Sequence, residues 1–378
     1  MPCTRGYTTL YRLFYLAIML LTSGVIGWVL ESVHFKLGWM FGGVAGAALT
    51  SCFLLPALKL SGRLYINKMR QTGQAILGGG IGCLLHFSDI GALGWLFIDI
   101  VIMMVLSLIS SFVLAILFSL LSTRQSVKTT FFSTLPGGIG IMANLAQQYG
   151  ANAELVAIVQ SVRILSVVMF TPFVLTNLMR VNLDAVPVAG GDYADYLQLI
   201  NAALILAISA LGYYLAHKMR IASPSLIGPL LLAILVGNLM PSHSVLILPP
   251  LLSHAAQILL GVTLGHGIIA RLATLRLRDV AIGLLSIVFL LLFSLVIAAF
   301  FHMIAPVDWQ TAILSTAPGG AAEMIILAKT LDTHMEIVVT AQVLRQIIVN
   351  SLVPVWVALS DHVEALLPKR TLPVEAEK

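Results

Sequence analysis

Long apolar runs constrain this chain more than any other feature of its sequence. A helix needs about 20 mostly apolar residues to span a bilayer, and ten runs approach that length. They cover 11–30, 37–57, 72–88, 93–120, 154–179, 196–216, 223–240, 250–270, 280–302 and 335–359. Only 10% of the residues are charged, against roughly 25% in soluble domains, which excludes a mostly water-exposed surface. The runs therefore predict an all-α polytopic membrane protein.

Two further apolar stretches, 131–150 and 313–331, begin in an unusual way. Each opens with a Ser-Thr-x-Pro-Gly-Gly cluster and ends in polar residues. Ser and Thr are good N-caps and Pro is favoured in the first turn, so each cluster is expected to start a helix with outward-pointing N–H groups. Such an end attracts anions and is tolerated in a membrane only where protein or water covers it. The clusters predict a solute site made by two broken helices; a kink with close helix packing is the alternative.

A duplication relates these two stretches. A shift of 182 residues places 133–172 on 315–354 with 14 identities in 40 positions and no gap. Rare Pro, Arg, Gln and Glu residues coincide, which composition alone does not explain. The predicted organisation is, in chain order, a membrane repeat over 1–180, a linker over 181–195 and a second membrane repeat over 196–378.

The distribution of Lys and Arg indicates that the second repeat is inverted. In the first repeat these residues precede the first run, follow the second and precede the Pro-Gly-Gly cluster; in the second repeat they occupy the alternate loops. Because cytoplasmic loops carry the excess of basic residues, this change favours opposite orientations. Five crossings and one broken or re-entrant helix per repeat place both termini in the cytoplasm and leave only Lys36 and Arg180 outside. Parallel repeats are the alternative.

Two arginines lie inside otherwise apolar helices. Arg163 and Arg345 each follow a repeated glutamine, Gln160 and Gln342, by three residues on the same helical face. An Arg at the centre of a lipid-facing helix costs at least about 2.5 kcal/mol, so both are expected to face a bundle interior or a wet cavity. They are predicted to clamp an anionic group of the solute. In the alternative interpretation they cap carbonyls of the broken helices or pair with a membrane carboxylate.

Acidic residues are scarce in the apolar runs. Glu323 lies five residues after Pro318, where the first repeat has Ile141. It is predicted to couple transport to H⁺ or Na⁺, with Asp99 as a second candidate. A structural counterion of one of the arginines is the alternative for Glu323.

The predicted site combines residues of both repeats. Its substrate-binding residues are Ser133, Thr134, Pro136, Gly137, Gly138, Asn144, Gln160, Arg163, Ser315, Thr316, Pro318, Gly319, Gly320, Gln342 and Arg345. No catalytic residue, metal ligand or resident cofactor is predicted, because the nine histidines are dispersed and no nucleophile–base arrangement occurs. The glycines of 78–82 and 261–265 are at helix-packing spacing, and no βαβ pattern surrounds them.

The duplicated clusters, the Gln-x-x-Arg pairs and the Glu323-Met324 pair resemble the AbrB-type membrane protein duplication family over about residues 10–360. Its members are bacterial inner-membrane proteins, often labelled ammonia monooxygenase or AbrB regulator. The resemblance implies an architecture related to the bile-acid/sodium symporters and the cation/proton antiporters, and it supplies no substrate. Ile141 departs from the family motif, which commonly carries Glu there, so only the second repeat has this acid.

These observations predict a secondary transporter of a small anionic solute that works by alternating access between the repeats. No nucleotide-binding motif is present through which ATP could drive it. A membrane sensor that affects gene expression indirectly is the alternative, and a membrane-embedded enzyme is a third hypothesis. No basic stretch is long enough for a soluble nucleic-acid-binding domain. The expected partners are the solute, the lipid bilayer and, in a homo-oligomer, further copies of the chain.

Overall fold

The chain folds into helices that group into two compact units. The computed structural model describes residues 4–33, 35, 37–58, 66–91, 93–121, 126–175, 195–221, 223–240, 246–272, 277–331 and 333–366. Unit 1 consists of Met1–Gly91 and Asp184–Ala273, and unit 2 of Ala92–Leu183 and Thr274–Lys378. Each unit therefore takes one segment from each half of the sequence. Of the predicted linker 181–195, only Asp195 lies within the described residues.

Unit 1 is built from paired helices of the two sequence halves. Its helices are α1 (Thr4–Ser32), α2 (Gly38–Leu58), α3 (Ile66–Gly82), α4 (Phe87–Gly91), α9 (Asp195–Lys218), α10 (Pro224–Leu239) and α11 (Pro250–Leu272). Helix α2 packs against α1 and α11, and α10 packs in the same way against α9 and α3. Helices α3 and α11, which correspond in the duplication, also pack against each other.

Glycines set the close approach of these helices. A Cβ atom on Gly261 of α11 would overlap the carbonyl oxygen of Met40 on α2. A Cβ on Gly78 of α3 would lie 2.6 Å from the carbonyl oxygen of Leu226 on α10, and both contacts recur one turn further along. Small residues allow helix backbones to approach this closely in membranes. The predicted packing role of the two glycine runs is confirmed.

Unit 2 contains the two stretches that begin with Pro-Gly-Gly clusters. Its helices are α5 (Leu96–Leu121), α6 (Val127–Thr134), α7 (Ile139–Gln148), α8 (Ala153–Phe173), α12 (Leu277–Ile304), α13 (Trp309–Thr316), α14 (Ala321–Thr330), α15 (Met335–Ser351) and α16 (Val353–Leu366). The short helix α6 packs between α5 and α8, and its counterpart α13 packs between α12 and α15. The broken elements are therefore held inside unit 2 by longer helices.

Several helices are long and apolar enough to cross a bilayer. Among the described residues, six meet this criterion by length and composition, and the bent pair α15–α16 adds a seventh if it is counted as one span. The six are Tyr11–Ser32, Leu96–Leu121, Ala153–Phe173, Tyr196–Lys218, Pro250–Ile269 and Arg278–Ile304. Helix α12 leaves large apolar side chains such as Leu285, Leu292 and Val296 exposed, as a lipid-facing helix does. The chain is a multi-pass α-helical membrane protein.

Two of the predicted spans differ from the observed helices. The run 72–88 is not one helix, because α3 begins earlier and ends at Gly82, within a glycine-rich segment that weakens helix formation. The run 335–359 is divided into α15 and α16, which meet at an angle of 59°. Pro354 explains this bend, because it lacks an N–H and its ring clashes with the carbonyl of Asn350, four residues earlier.

Candidate functional site

The first Pro-Gly-Gly cluster separates two short helices. Ser126 caps α6 by accepting a hydrogen bond from the Thr129 N–H at 3.2 Å, and α6 ends at Thr134. Pro136 cannot donate to the preceding turn, and the Gly137 N–H donates to Leu135 O at 2.7 Å across it. Gly138 is extended, with φ −71° and ψ 135°. Helix α7 then begins. The predicted broken helix is confirmed at this cluster.

Two side chains of α8 donate hydrogen bonds to the backbone carbonyls at this break. The Gln160 Nε2 group donates to the carbonyl oxygens of Phe132 and Leu135, at 2.7 and 2.9 Å. The Arg163 guanidinium donates through Nη1 to Leu135 O at 2.8 Å and through Nη2 to Gly137 O at 3.3 Å. Both side chains are almost completely buried. They satisfy carbonyls that a helix end leaves without partners.

The second break repeats this arrangement with residues 182 positions later. The Gln342 Nε2 group donates to Leu314 O at 2.7 Å. The Arg345 guanidinium donates through Nη1 to Ala317 O at 2.7 Å and through Nη2 to Gly319 O at 3.0 Å. The same Nη2 group also donates to Gln342 Oε1 at 2.5 Å. Each break is therefore closed by its own Gln-x-x-Arg pair.

These contacts correspond to the capping interpretation of the arginines. Arg163 is 1% exposed and Arg345 is 4% exposed, and each guanidinium donates two hydrogen bonds to backbone carbonyls of its break. Among the described residues Arg345 forms no ion pair. The partial negative charge of the α13 carbonyl end offsets only part of its positive charge. A direct clamp on a solute stays a prediction.

The predicted capping role of the Ser-Thr pairs is wrong. Ser133 and Thr134 lie in the last turn of α6, where their hydroxyls donate to carbonyls one turn back at 2.8 and 3.1 Å. Ser315 and Thr316 occupy the last turn of α13, and the Thr316 hydroxyl donates to Ala312 O at 2.9 Å. The pairs belong to the helix that ends at each cluster, because Pro stops that helix two residues later.

The helix starts after the two breaks are capped differently. Gly138 and Gly320 are the N-caps of α7 and α14, and neither has a side chain to bond the exposed N–H groups. In α14, Glu323 folds back so closely that a Cβ on Gly320 would overlap its carboxylate. This buried acid stands at the third helical position, from which Glu reaches back to a helix start. In α7 the same position is Ile141, so its start has no carboxylate of its own.

Each break lies beside a long helix of the other repeat. A Cβ on Gly138 would stand 3.3 Å from Nε2 of Gln346 on α15, and a Cβ on Gly319 would stand 3.1 Å from Cγ1 of Val167 on α8. Unit 2 therefore brings together both clusters, both Gln-x-x-Arg pairs and Glu323.

Two predicted site residues are placed elsewhere. Asn144 is exposed on α7, so it is not part of the buried surroundings of the break. Asp99 lies in the first turn of α5 and is partly exposed, so it sits near a helix end. Among the described residues, no three His, Cys, Asp or Glu side chains are grouped as metal ligands.

Comparison with known proteins places the whole arrangement in a family. Residues 39–360 match the sequence profile of the family described as “Transition state regulatory protein AbrB”. The chain belongs to this AbrB family. It is 29% identical over 358 residues to “Uncharacterized protein YhjN” of Bacillus subtilis (strain 168), which covers 90% of this chain and 91% of that protein. It is 26% identical over 253 residues to “Putative regulator AbrB” of Escherichia coli (strain K12), covering 64% of this chain and 68% of that protein.

In this AbrB-family chain, two amides on α15 were not among the site residues that the sequence pattern predicts. Gln346 lies at the first break, and Asn350 follows one helical turn later. Their counterparts on α8 are Ile164 and Val168, both apolar. Comparison of the two repeats at these positions would have identified both amides, because polar residues stand there in one copy only.

Proposed function

We propose that this AbrB-family protein is a secondary transporter of a small anionic solute in the bacterial inner membrane. In this proposal the two repeats are inverted, both termini are cytoplasmic, and the solute site alternates between the two sides of the membrane. The observation that carries the proposal is the pair of broken helices in unit 2, each closed by a buried arginine. Irregular backbone at membrane depth is tolerated only where protein covers it or where it lines a wet cavity. Transporters use such interrupted helices to bind solutes.

The charges around the breaks support an anionic solute. A helix start carries a partial positive charge, and the start of α7 has no carboxylate from its own helix. Arg345 adds a full positive charge that no ion pair among the described residues neutralises. Arg163 adds a second guanidinium at the first break. A small anion would balance the charge of Arg345 in a low-dielectric site, where electrostatic attraction is strong.

Glu323 is the proposed site of ion coupling. The residue is 3% exposed, and the first repeat has no acid at the equivalent position. Buried ionisable residues in membrane segments commonly carry protons or bind cations in transporters. We propose that H⁺ or Na⁺ binds at Glu323 and drives solute movement.

A membrane sensor is the second candidate function, because the name of the Escherichia coli relative describes a regulator. A sensor needs the solute site but no flux. We assign no catalytic role to the chain, and no nucleic-acid partner.

Flux in proteoliposomes tests the proposal. The purified full-length protein would be reconstituted, and uptake of labelled propanoate, 2-hydroxypropanoate, succinate, malate and inorganic phosphate measured with and without an imposed H⁺ or Na⁺ gradient. We expect saturable uptake of at least one anion that rises with one of the gradients. Glu323→Gln should remove the dependence on the gradient. Glu336→Gln, at a partly exposed acid in the first turn of α15 that contacts His334 at 3.2 Å, should leave it intact.

Two outcomes would contradict the proposal. Binding of an anion without uptake under any gradient favours the sensor. Equal gradient dependence in wild type and Glu323→Gln removes Glu323 from the coupling mechanism.

A further inference from the structure

The face of α15 beside the first break is polar, although the fold does not require it to be. Gln346 and Asn350 lie one turn apart on the same side of α15. On α8 the equivalent positions, Ile164 and Val168, are apolar and buried. Because apolar residues fill these two positions in the first repeat, helix packing in the second repeat does not require the two amides.

The first of these amides borders the start of α7. The Gln346 amide nitrogen stands 3.3 Å from the position of a Cβ on Gly138, the N-cap of α7. Val349, the neighbour of Asn350, packs in one apolar cluster with Leu135 and Met142, which lie on either side of the break. The segment from Gln346 to Asn350 therefore runs alongside the first break.

Within the described part of the chain, the side-chain amide of Asn350 lacks hydrogen-bond partners. Both Nδ2 and Oδ1 are buried, and neither finds a hydrogen-bond partner among the residues that the structure describes. Buried polar atoms in native proteins are nearly always paired, and each unpaired one carries a desolvation penalty. An amide needs one group that accepts from its nitrogen and one that donates to its oxygen. A hydroxyl or a carboxamide provides both.

The geometry points to a solute that is an organic anion carrying a hydroxyl or carboxamide group, with Asn350 and Gln346 binding that neutral group. The anionic group lies at the start of α7, so this inference rests on the proposed function and names its substrate class. A fully ionised inorganic anion offers acceptors only and leaves Oδ1 of Asn350 without a donor. A hydroxy acid or an amide-bearing acid satisfies both atoms.

Matched pairs of compounds test this inference. Binding to the purified full-length protein would be measured by thermal shift and titration for propanoate against 2-hydroxypropanoate, and for succinate against malate. We expect the hydroxylated member of at least one pair to bind roughly tenfold more tightly, as one or two added hydrogen bonds allow. Asn350→Leu should abolish the difference. Ile164→Leu, an isosteric change on the equivalent face of α8, should preserve it.

A second measurement separates binding from a structural role. Without any compound, Asn350→Leu should melt at the same temperature as wild type or higher, because it removes a buried polar group that lacks partners. A lower melting temperature shows that the amide is structural and overturns the inference. Equal binding of both members of each pair, with transport intact, overturns the inference alone. Absence of both binding and uptake for every compound overturns the proposed function as well.

Discussion

The buried arginines are held by geometry that only a guanidinium can supply. Two Nη groups of Arg345 reach carbonyls two residues apart, Ala317 O at 2.7 Å and Gly319 O at 3.0 Å. The planar guanidinium forms both bonds with little loss of side-chain conformational entropy. A lysine ammonium is instead a single point charge on a flexible chain. The identical arrangement at Arg163 indicates that each arginine stabilises the backbone of its own break.

Arg345→Lys is therefore expected to destabilise the fold. It leaves at least one buried carbonyl unpaired, at a cost of roughly 1–3 kcal/mol, and it adds a poorly solvated ammonium. Thermal melting in detergent would measure the loss. The control is Lys128→Ala, which removes an ion pair with Asp361 of 2.6 Å at a partly exposed position and should cost about 1 kcal/mol or less. A stable Arg345→Lys protein that no longer binds any anion would instead favour the direct solute clamp.

Much of the candidate site could be predicted from single residues. Arg163, Arg345 and Glu323 are conspicuous because a charged residue in an apolar helix is expensive unless it has a function or a partner. The roles of Ser133 and Thr134 could not be predicted, because a hydroxyl is equally suited to end one helix or begin the next. Asn350 is not predicted from its own run, because one amide among apolar residues does not show which way it faces; only the apolar counterpart Val168 distinguishes it.

At the scale of helices, the prolines in the sequence indicate where some helices break, but they do not show whether the helix continues beyond the break. Pro136 and Pro318 are each followed by two glycines, and the helix stops at both. Pro172 and Pro354 are equivalent positions with different outcomes: Pro172 lies inside α8, whereas Pro354 lies where α15 and α16 meet at an angle of 59°. A proline removes one hydrogen bond wherever it stands, but the neighbouring helices decide whether the chain continues.

Close helix packing in unit 1 gives a prediction at the same scale. Gly261→Ala would force a Cβ into the Met40 carbonyl, so α2 and α11 must separate, at a cost of roughly 1–3 kcal/mol. Gly24→Ala in α1 is the matched control, since no atom lies within 4 Å of the added Cβ. Because Ala favours a helix over Gly by roughly 0.5–1 kcal/mol, this control should be neutral or stabilising. Melting temperatures in the same detergent compare the two, and equal shifts would contradict packing through Gly261.

At the scale of the molecule, the division into units was not apparent from the sequence. The duplication separates the chain near its middle, yet each compact unit combines one segment of each half. The apolar pattern of a helix shows which residues avoid water. It does not show which other helix is the partner, because lipid and protein present similar apolar surfaces. The pairing of α2 with α11, and of α10 with α3, depends on the matching of small residues between distant segments.

The orientation of the repeats yields the prediction with the widest consequences. The connections α2–α3 and α10–α11 are equivalent in the duplication, and inversion places them on opposite sides of the membrane. In a chain whose three cysteines are replaced by alanine, Ser61→Cys and Ser242→Cys would each introduce one thiol outside the described residues. We expect a membrane-impermeant maleimide applied to intact cells to label Cys at 242 directly and Cys at 61 only after permeabilisation, because the basic residues beside 61 favour the cytoplasm.

Labelling of both positions from the same side would mean parallel repeats. In that case the two broken helices could not exchange roles between the two faces of the membrane, and alternating access between the repeats would have to be abandoned.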